Sequence, residues 1–264
     1  MENQLSFSTD LRGKIALVTG GTKGIGKAIA DQLAQAGAQV IVTARNRPAD
    51  SDSTHSFIAV DLTQADQVTQ LAQQVQDTYG RIDILIDNVG GLTTPGGGFQ
   101  ALSDQDWEQE LQFNLLATIR LDRALLPLMQ NQKSGVVIHI STGAAKQPLW
   151  NLNLAYSVSK AALNCYSKAL ANEVASQGIR VVAVSPGAVK TPLMEQFLED
   201  FARNEGIPLE DAFTTVMGKM SGVPLGRMAE PEEIASLVRF LASPAASYIT
   251  GVNYSIDGGA YPIA

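Results

Sequence analysis

Ala155-Tyr-Ser-Val-Ser-Lys160 sets a phenol and an ammonium four residues apart. On a helix that spacing brings both side chains to one face. A free phenol has a pKa of about 10 and is a poor acid or base at neutral pH. A fixed ammonium about 4–6 Å away favours the phenolate and lowers that pKa. Tyr156 and Lys160 are therefore a candidate proton donor and acceptor for a substrate oxygen. The same spacing also describes two solvated helix neighbours, so the surrounding sequence has to decide.

A second constellation stands near the start of the chain. Lys14-Ile-Ala-Leu-Val-Thr19 runs into Gly20-Gly-Thr22-Lys23-Gly24-Ile25-Gly26 and then into a helical pattern. Strand, glycine turn and helix in that order offer free N–H groups and a positive dipole end, which suit a pyrophosphate. The glycines permit the tight turn and a close backbone approach. The next strand, Val40-Ile-Val-Thr43, ends in Ala44-Arg45-Asn46-Arg47. An NAD-preferring site places an acid there to hold the ribose 2′-hydroxyl. Here two arginines stand instead, and with Lys23 they predict a site for the 2′-phosphate of NADP.

Such residues need a frame, and the hydrophobic pattern supplies one. Apolar runs at 14–19, 39–43, 56–60, 82–87, 135–141, 179–184 and 252–256 read as strands. Helical patterns fill 24–36, 64–79, 104–130, 155–177 and 231–242. Thr63 with Asp66 resembles a capping box, Ser103 suits an N-cap, and Pro231 suits a first helical turn. Gly37, Gly80 and Gly178 each close a helix before a strand. Alternation of this kind with continuous apolar strands predicts an α/β fold, a parallel sheet covered on both faces. No Pro/Ser-rich linker breaks it, so 1–264 reads as one domain, with 1–10 as a tail. The segment 186–227 interrupts the rhythm with Met194, Phe197, Phe201, Phe213, Met217 and Met220. Its part from about 188 to 227 is expected to be an apolar lid over a pocket.

With 264 residues and 45% apolar content the chain can bury a substantial core. A net charge of −7 argues against nucleic acid or an anionic membrane as partner. The lone Cys165 excludes an internal disulfide and fits a reducing compartment. No signal peptide and no apolar run of spanning length is present, so a cytoplasmic protein is expected. His139 is expected to be structural and His55 to lie at the surface; no His/Cys cluster suggests a metal site.

These motifs together resemble the short-chain dehydrogenase/reductases of about 250 residues, from about Leu11 to Gly259. The family resemblance implies a single-domain, Rossmann-type doubly wound seven-stranded sheet, NAD(P) as cofactor, and alcohol oxidation or carbonyl reduction. Its glycine motif falls on Thr19, Gly20, Gly24 and Gly26. Its adenine-contacting acid falls on Asp61, followed by Leu62. Its Asn-Asn-Ala-Gly reads Asp87-Asn88-Val89-Gly90, so Asp87 and Val89 depart from the pattern. A helix Asn that holds a water in the proton relay to Lys160 falls on Asn114. Pro186 and Gly187, with Val189 and Thr191 beyond, fall beside the nicotinamide. The second catalytic hydroxyl stands at Thr142 or Ser141, because the usual Ile-Ser-Ser reads Ile140-Ser141-Thr142. Trp150, Leu152 and Leu154 are pocket candidates, with 92–99 as the opposite wall.

The expected activity is NADPH-dependent interconversion of a carbonyl and a secondary alcohol on a fairly apolar small molecule. Two alternatives stand beside it. One is a 3-oxoacyl-thioester reductase, for which Arg203, Lys219 and Arg227 would have to receive an acidic carrier protein. The other is a non-catalytic NADP-binding or sensor protein. The resemblance also implies a homotetramer or dimer, which exposed apolar Leu163, Tyr166 and Leu170 would support.

Overall fold

A computed structural model describes residues 8–47, 54–218 and 222–261. Most of the tail, together with Lys219 and Met220, lies outside the described residues. Seven strands form one parallel sheet: β1 (Ile15–Thr19), β2 (Gln39–Ala44), β3 (Ser56–Ala59), β4 (Ile84–Asp87), β5 (Gly135–Ile140), β6 (Ile179–Pro186) and β7 (Asn253–Ile256). Their order is β3-β2-β1-β4-β5-β6-β7. The chain leaves β1 in two directions, towards β2 on one side and β4 on the other. In open sheets of this kind ligands bind beyond the strand C-termini, where the strand order reverses.

The helices are α1 (Gly24–Gln35), α2 (Ala65–Tyr79), α3 (Asp104–Leu111), α4 (Ala117–Gln132), α5 (Leu154–Val174), α6 (Pro192–Glu205), α7 (Leu209–Gly218) and α8 (Pro231–Ala242). Strand periodicity sorts the core into two layers. Ala16, Val18, Ile84, Ile86, Ile138, Ile140, Val182 and Val184 pack under α1 and α8. Leu17, Ile41, Leu85, Val137 and Val181 pack under α2, α4 and α5. Each fully buried Leu or Ile in these layers contributes about 1.5–3 kcal/mol.

Three expectations change. The helix expected over 104–130 is two helices joined by a π-helical turn, Gln112–Leu116. The capping box at Thr63 and Asp66 does not form. Thr63 turns back, its N and Oγ1 donating to Asp61 Oδ1 at 2.9 and 2.7 Å, and α2 starts at Ala65 with no side-chain cap. His55 is not a free surface residue; only 10% of its side chain is exposed and it pairs with Asp31 at 2.9 Å. Ser103 does cap α3, in a reciprocal box with Asp106. Pro231 opens α8, and Gly37, Gly80 and Gly178 adopt positive φ.

The segment after β6 forms α6 and α7. Leu198, Phe201, Ala212, Val216 and Met217 make a small core of their own, closed by Ala260 and Tyr261 from the C-terminal segment. Among the described residues, no helix is long and apolar enough to cross a membrane.

Candidate active site

The floor of the crevice is fixed by Thr19. Its Oγ1 accepts from the N–H of Asn88 and of Val89 at 2.8 and 3.0 Å, and Asn88 Nδ2 donates to the Thr19 carbonyl at 2.9 Å. This ties the end of β1 to the end of β4. In the turn above it Gly20 and Gly24 have φ of 62° and 54°, a region where a side chain is strained. Gly26 is required for a different reason. A Cβ there would strike the Gly20 carbonyl and come within 2.5 Å of Asn88 Nδ2.

The α1 N-terminus is left open. Lys23 precedes it without a side-chain cap, and no acid occupies its first turn. By contrast Ser103 and Thr191 cap α3 and α6. Free N–H groups and an uncompensated dipole end suit an anion. Lys23 and Arg45 are exposed beside this turn, since Thr19 and Thr43 are partners across β1 and β2. Arg47 lies over the Phe57 ring at 4.7 Å. No described carboxylate pairs with any of the three cations. The arrangement fits a pyrophosphate with a phosphorylated ribose beside it.

Asp61 follows β3 and holds the start of α2 through Thr63; Leu62 beside it is buried. Pro186 ends β6, and Gly187 follows where a Cβ would press on the Asp257 backbone. Val189 is buried and bridges to Ala229. Thr191, Pro192 and Leu193 lead α6 over the crevice. A Cβ on Gly24 would lie 3.3 Å from the Thr191 methyl, and one on Gly91 would lie 3.3 Å from Leu193.

At the other end stand the four polar groups expected for proton chemistry. Lys160 is 2% exposed and donates to the Ile140 carbonyl at 3.0 Å. Asn114, carried on the π turn, accepts from the Gly91 N–H at 2.8 Å and donates to the Gly91 and Glu110 carbonyls at 3.0 and 3.2 Å. Gly90 lies between these two side chains. A Cβ on it would come within 2.7 Å of Lys160 Nζ and 2.8 Å of Asn114 Oδ1. The Thr142 hydroxyl acts on the Tyr156 phenol and pulls its pKa down. Thr142 Oγ1 also accepts from the Ala144 N–H at 3.2 Å. Ser141 instead faces the Lys160 carbonyl at 3.5 Å. Of the two candidate hydroxyls, Thr142 is the one that acts on the phenol.

Electrostatics differ from the expectation drawn from spacing. Burial pushes the Tyr156 phenol up to about 12 and outweighs the Thr142 hydrogen bond; Glu110 adds to the rise. Tyr156 as a whole is half-buried. Burial brings Lys160 down to about 8, opposed by Asp87 and Glu110. The lysine does not produce an acidic phenol here; loss of water around both groups dominates.

Several residues at the site carried no signal when read singly. Glu110 is fully buried, receives Thr93 through both N–H and hydroxyl, and acts on both Tyr156 and Lys160. Its position four residues before Asn114 was the available clue. Tyr261 packs on Gly143, where a Cβ would enter its ring, and brings the C-terminal segment to Tyr156. The pocket candidates are placed differently from the reading of two opposed walls. Trp150 is 69% exposed and lies on Gly98, while Gly97 donates to the Asn151 carbonyl at 2.9 Å. The segments around 96–98 and 149–152 thus form one joined rim. Leu152 and Leu154 are half-buried behind it.

A family model described as enoyl-(acyl carrier protein) reductase matches residues 20–261. The 3-oxoacyl-[acyl-carrier-protein] reductase of Vibrio cholerae is 35% identical over 261 residues, covering 96% of this chain and 100% of that protein. The Escherichia coli enzyme of the same name is 34% identical with the same coverage. Among solved structures, L-sorbose reductase from Gluconobacter frateurii, complexed with NADPH and L-sorbose, superposes with a TM-score of 0.89. It is 31% identical, over 97% of this chain and 100% of that one. A short chain dehydrogenase/reductase family protein superposes at 0.81 with 35% identity, over 96% and 100% of the two chains.

Proposed function

We propose, from the premise that the chain belongs to the short-chain dehydrogenase/reductase family, that it is an NADPH-dependent carbonyl reductase working through Tyr156. The observation that carries this reading is one cluster: Thr142 at the Tyr156 phenol, with Lys160 and Asn114 meeting around Gly90. It stands at the same end of the sheet as an uncapped helix end and cations that no described carboxylate pairs.

The chain's own groups divide the work. The glycine turn and the α1 N-terminus would hold the pyrophosphate. Lys23 and Arg45, with Arg47 beside them, would hold the 2′-phosphate. Asp61 and Leu62 would flank the adenine. Asn88, Val89 and Gly90 on one side, and Pro186, Gly187, Val189 and Thr191 on the other, would flank the nicotinamide half. Bound NADPH supplies the hydride. Tyr156 gives its proton to the substrate oxygen, and a pKa near 12 suits the donor role at neutral pH. Thr142 offers a second hydrogen bond to that oxygen as negative charge grows on it. Lys160 holds positive charge behind the phenol, and Asn114 fixes the turn at Gly91 that closes this side. In this reading α6 and α7 act as the lid, since Thr191 and Leu193 already lean over both glycine turns.

A 3-oxoacyl thioester is a special case of the same carbonyl chemistry, favoured by the names of the bacterial relatives. Against a carrier-bound substrate, Arg203 pairs with Asp200 at 2.9 Å and Arg227 with Glu233 at 2.7 and 2.8 Å. A dimer or tetramer remains part of the proposal, but Leu163 and Leu170 do not support it, because both are buried within one chain. Exposed Val158, Ala161, Cys165 and Ala169 on α5 are the residues left to form such a contact; sedimentation tests it.

The decisive experiment follows NADPH consumption across ketones, 1,2-diketones, quinones and 3-oxoacyl thioesters, beside NADH. Turnover with NADPH, weak with NADH, should fall about 10²–10⁴-fold in Tyr156→Phe while NADPH binding persists. Saturable NADPH binding without turnover on any carbonyl would leave a cofactor-binding protein instead.

A further inference from the structure

The segment between β4 and α3 passes Lys160 at Gly90 and then runs out to the rim. From Gly91 to Gly96 no described backbone group bonds another backbone group, so no ladder fixes its position. Two side chains do that instead. Asn114 accepts from the Gly91 N–H at 2.8 Å and donates to the Gly91 carbonyl at 3.0 Å. Glu110 Oε2 accepts from the Thr93 N–H at 3.2 Å and also from the Thr93 hydroxyl. Asn114 Nδ2 reaches the Glu110 carbonyl as well, at 3.2 Å. The two residues stand four apart, which on a helix is one face, and they grip alternate residues of the segment. Carboxylates are almost never fully buried unless paired. Glu110 is 0% exposed, and among the described residues its carboxylate bonds Thr93 rather than forming an ion pair.

Beyond Thr93 the segment has little shape of its own. It holds Gly96, Gly97 and Gly98, the last two at φ of 114° and 81°, and glycine gives a chain freedom rather than shape. The next fixed point is the Gly97 N–H on the Asn151 carbonyl at 2.9 Å, with Trp150 lying on Gly98. Thr93 is therefore the last anchor on the α3 side before the joined rim. We propose that Glu110 is a positioning residue for the substrate: by docking Thr93 it fixes where the rim stands relative to Tyr156, and so the size of carbonyl compound the site takes. The idea rests on the reductase reading made above.

The carboxylate offers two things, hydrogen bonds to Thr93 and a negative charge that acts on Tyr156 and Lys160. Only the first belongs to docking. Glu110→Leu removes both. Glu110→Gln removes the charge but keeps an oxygen for Thr93. Its NH₂ would stand in place of Oε1, which accepts no hydrogen bond within normal reach; the Thr94 hydroxyl that acts on the carboxyl can turn to accept from an amide. The test compares KM and kcat for a compact and a bulky ketone from the panel above, with NADPH saturating. In Glu110→Leu the KM for the compact ketone should rise about tenfold, kcat should change far less, and the preference between the two ketones should shrink. Glu110→Gln should restore both KM and preference. Thr93→Val keeps the N–H and drops the hydroxyl, so it should move KM the same way by less. Combined with Glu110→Leu it should add nothing. Hydrogen exchange of residues 91–98 in the full chain should quicken in Glu110→Leu and return in Glu110→Gln.

Glu110→Gln as damaging as Glu110→Leu would overturn the proposal, because the charge and not the docking would then be at work. A Glu110→Leu variant that loses stability but keeps KM, preference and exchange would overturn it too, since the residue would then serve the fold alone. Additive effects of Glu110→Leu and Thr93→Val would do the same by showing that the two do not act through one bond. The expected exchange pattern in a chain without turnover on any carbonyl would uphold the docking and sink the reductase reading instead.

Discussion

On the sheet face under α1 and α8, β1, β4 and β5 present Ala16, Val18, Ile84, Ile86, Ile138 and Ile140, apolar to the strand ends. On the face under α2, α4 and α5 the same strands begin alike, with Leu17, Leu85 and Val137. Two residues further on, that second face presents Thr19, Asp87 and His139, all buried. Period-two geometry forces these onto one side. One face is therefore a uniform support, and the other changes character as it nears the crevice. There His139 pairs with Asp122 of α4 at 3.1 Å, and Thr19 with the N–H groups that follow β4. The first face carries Arg180, which donates to the Leu241 carbonyl of α8 at 2.8 Å, and a guanidinium keeps its charge between pH 6 and 9. The second carries buried ionisable groups directly behind the reacting ones.

Leu33→Ala, on the fully buried side of α1, would break this comparison most directly. It should cost about 2–5 kcal/mol in denaturant unfolding, with the same loss at pH 6 and pH 9. A pH-dependent loss would mean that the two faces are coupled.

The second face should instead answer to pH alone. Lys160 titrates near 8 when folded and near 10.5 when unfolded. Between those values the unfolded chain binds a proton that the folded chain lacks, so stability rises with pH across that window. Tyr156 is shifted the other way, to about 12. From about pH 10 upward the folded chain keeps a proton the unfolded chain has lost, and stability falls; Tyr166 and Tyr261 act in the same sense. The rise should amount to about 1–3 kcal/mol and vanish in Lys160→Met, as urea midpoints measured from pH 7 to 11 would show.

The smallest effect belongs outside both faces. Ser103→Ala removes the α3 cap and should cost about 1 kcal/mol, without altering the pH profile of either stability or turnover. A change in that profile would show that the α3 start communicates with Glu110.

The apolar face was legible in the sequence because each of its strands is a continuous run of Val, Ile and Leu. The glycine turn was legible for a different reason, since its order between strand and helix has few other uses. The pairing of Tyr156 with Thr142 rather than Ser141 was not. It depends on how the chain turns after β5, where Thr142 caps a short turn and its hydroxyl faces the phenol. The acidic shift expected for Tyr156 failed because spacing shows a neighbouring charge but not the loss of water around it. Asp87 read as a departure in a cofactor motif and His139 as a structural histidine, while Asp122, 17 positions before His139, carried no signal. Only strand register and the α4 contact bring them together.

The π turn at Gln112–Leu116 also has a consequence for which mutations the chain can survive. It absorbs one residue more than an α-helical turn would, and so keeps α3 and α4 in a common phase. Each α-helical residue advances the rotation by about 100°. A substitution that forced all five residues into α geometry would swing everything after them by about that angle, taking Leu121 and Leu125 out of the core and Asp122 away from His139. Deleting Phe113 would remove the extra residue together with the bulge and leave α4 in phase. What it would cost is the turn that carries Asn114 to Gly91. Within this stretch a residue lost is easier to bear than a bulge straightened.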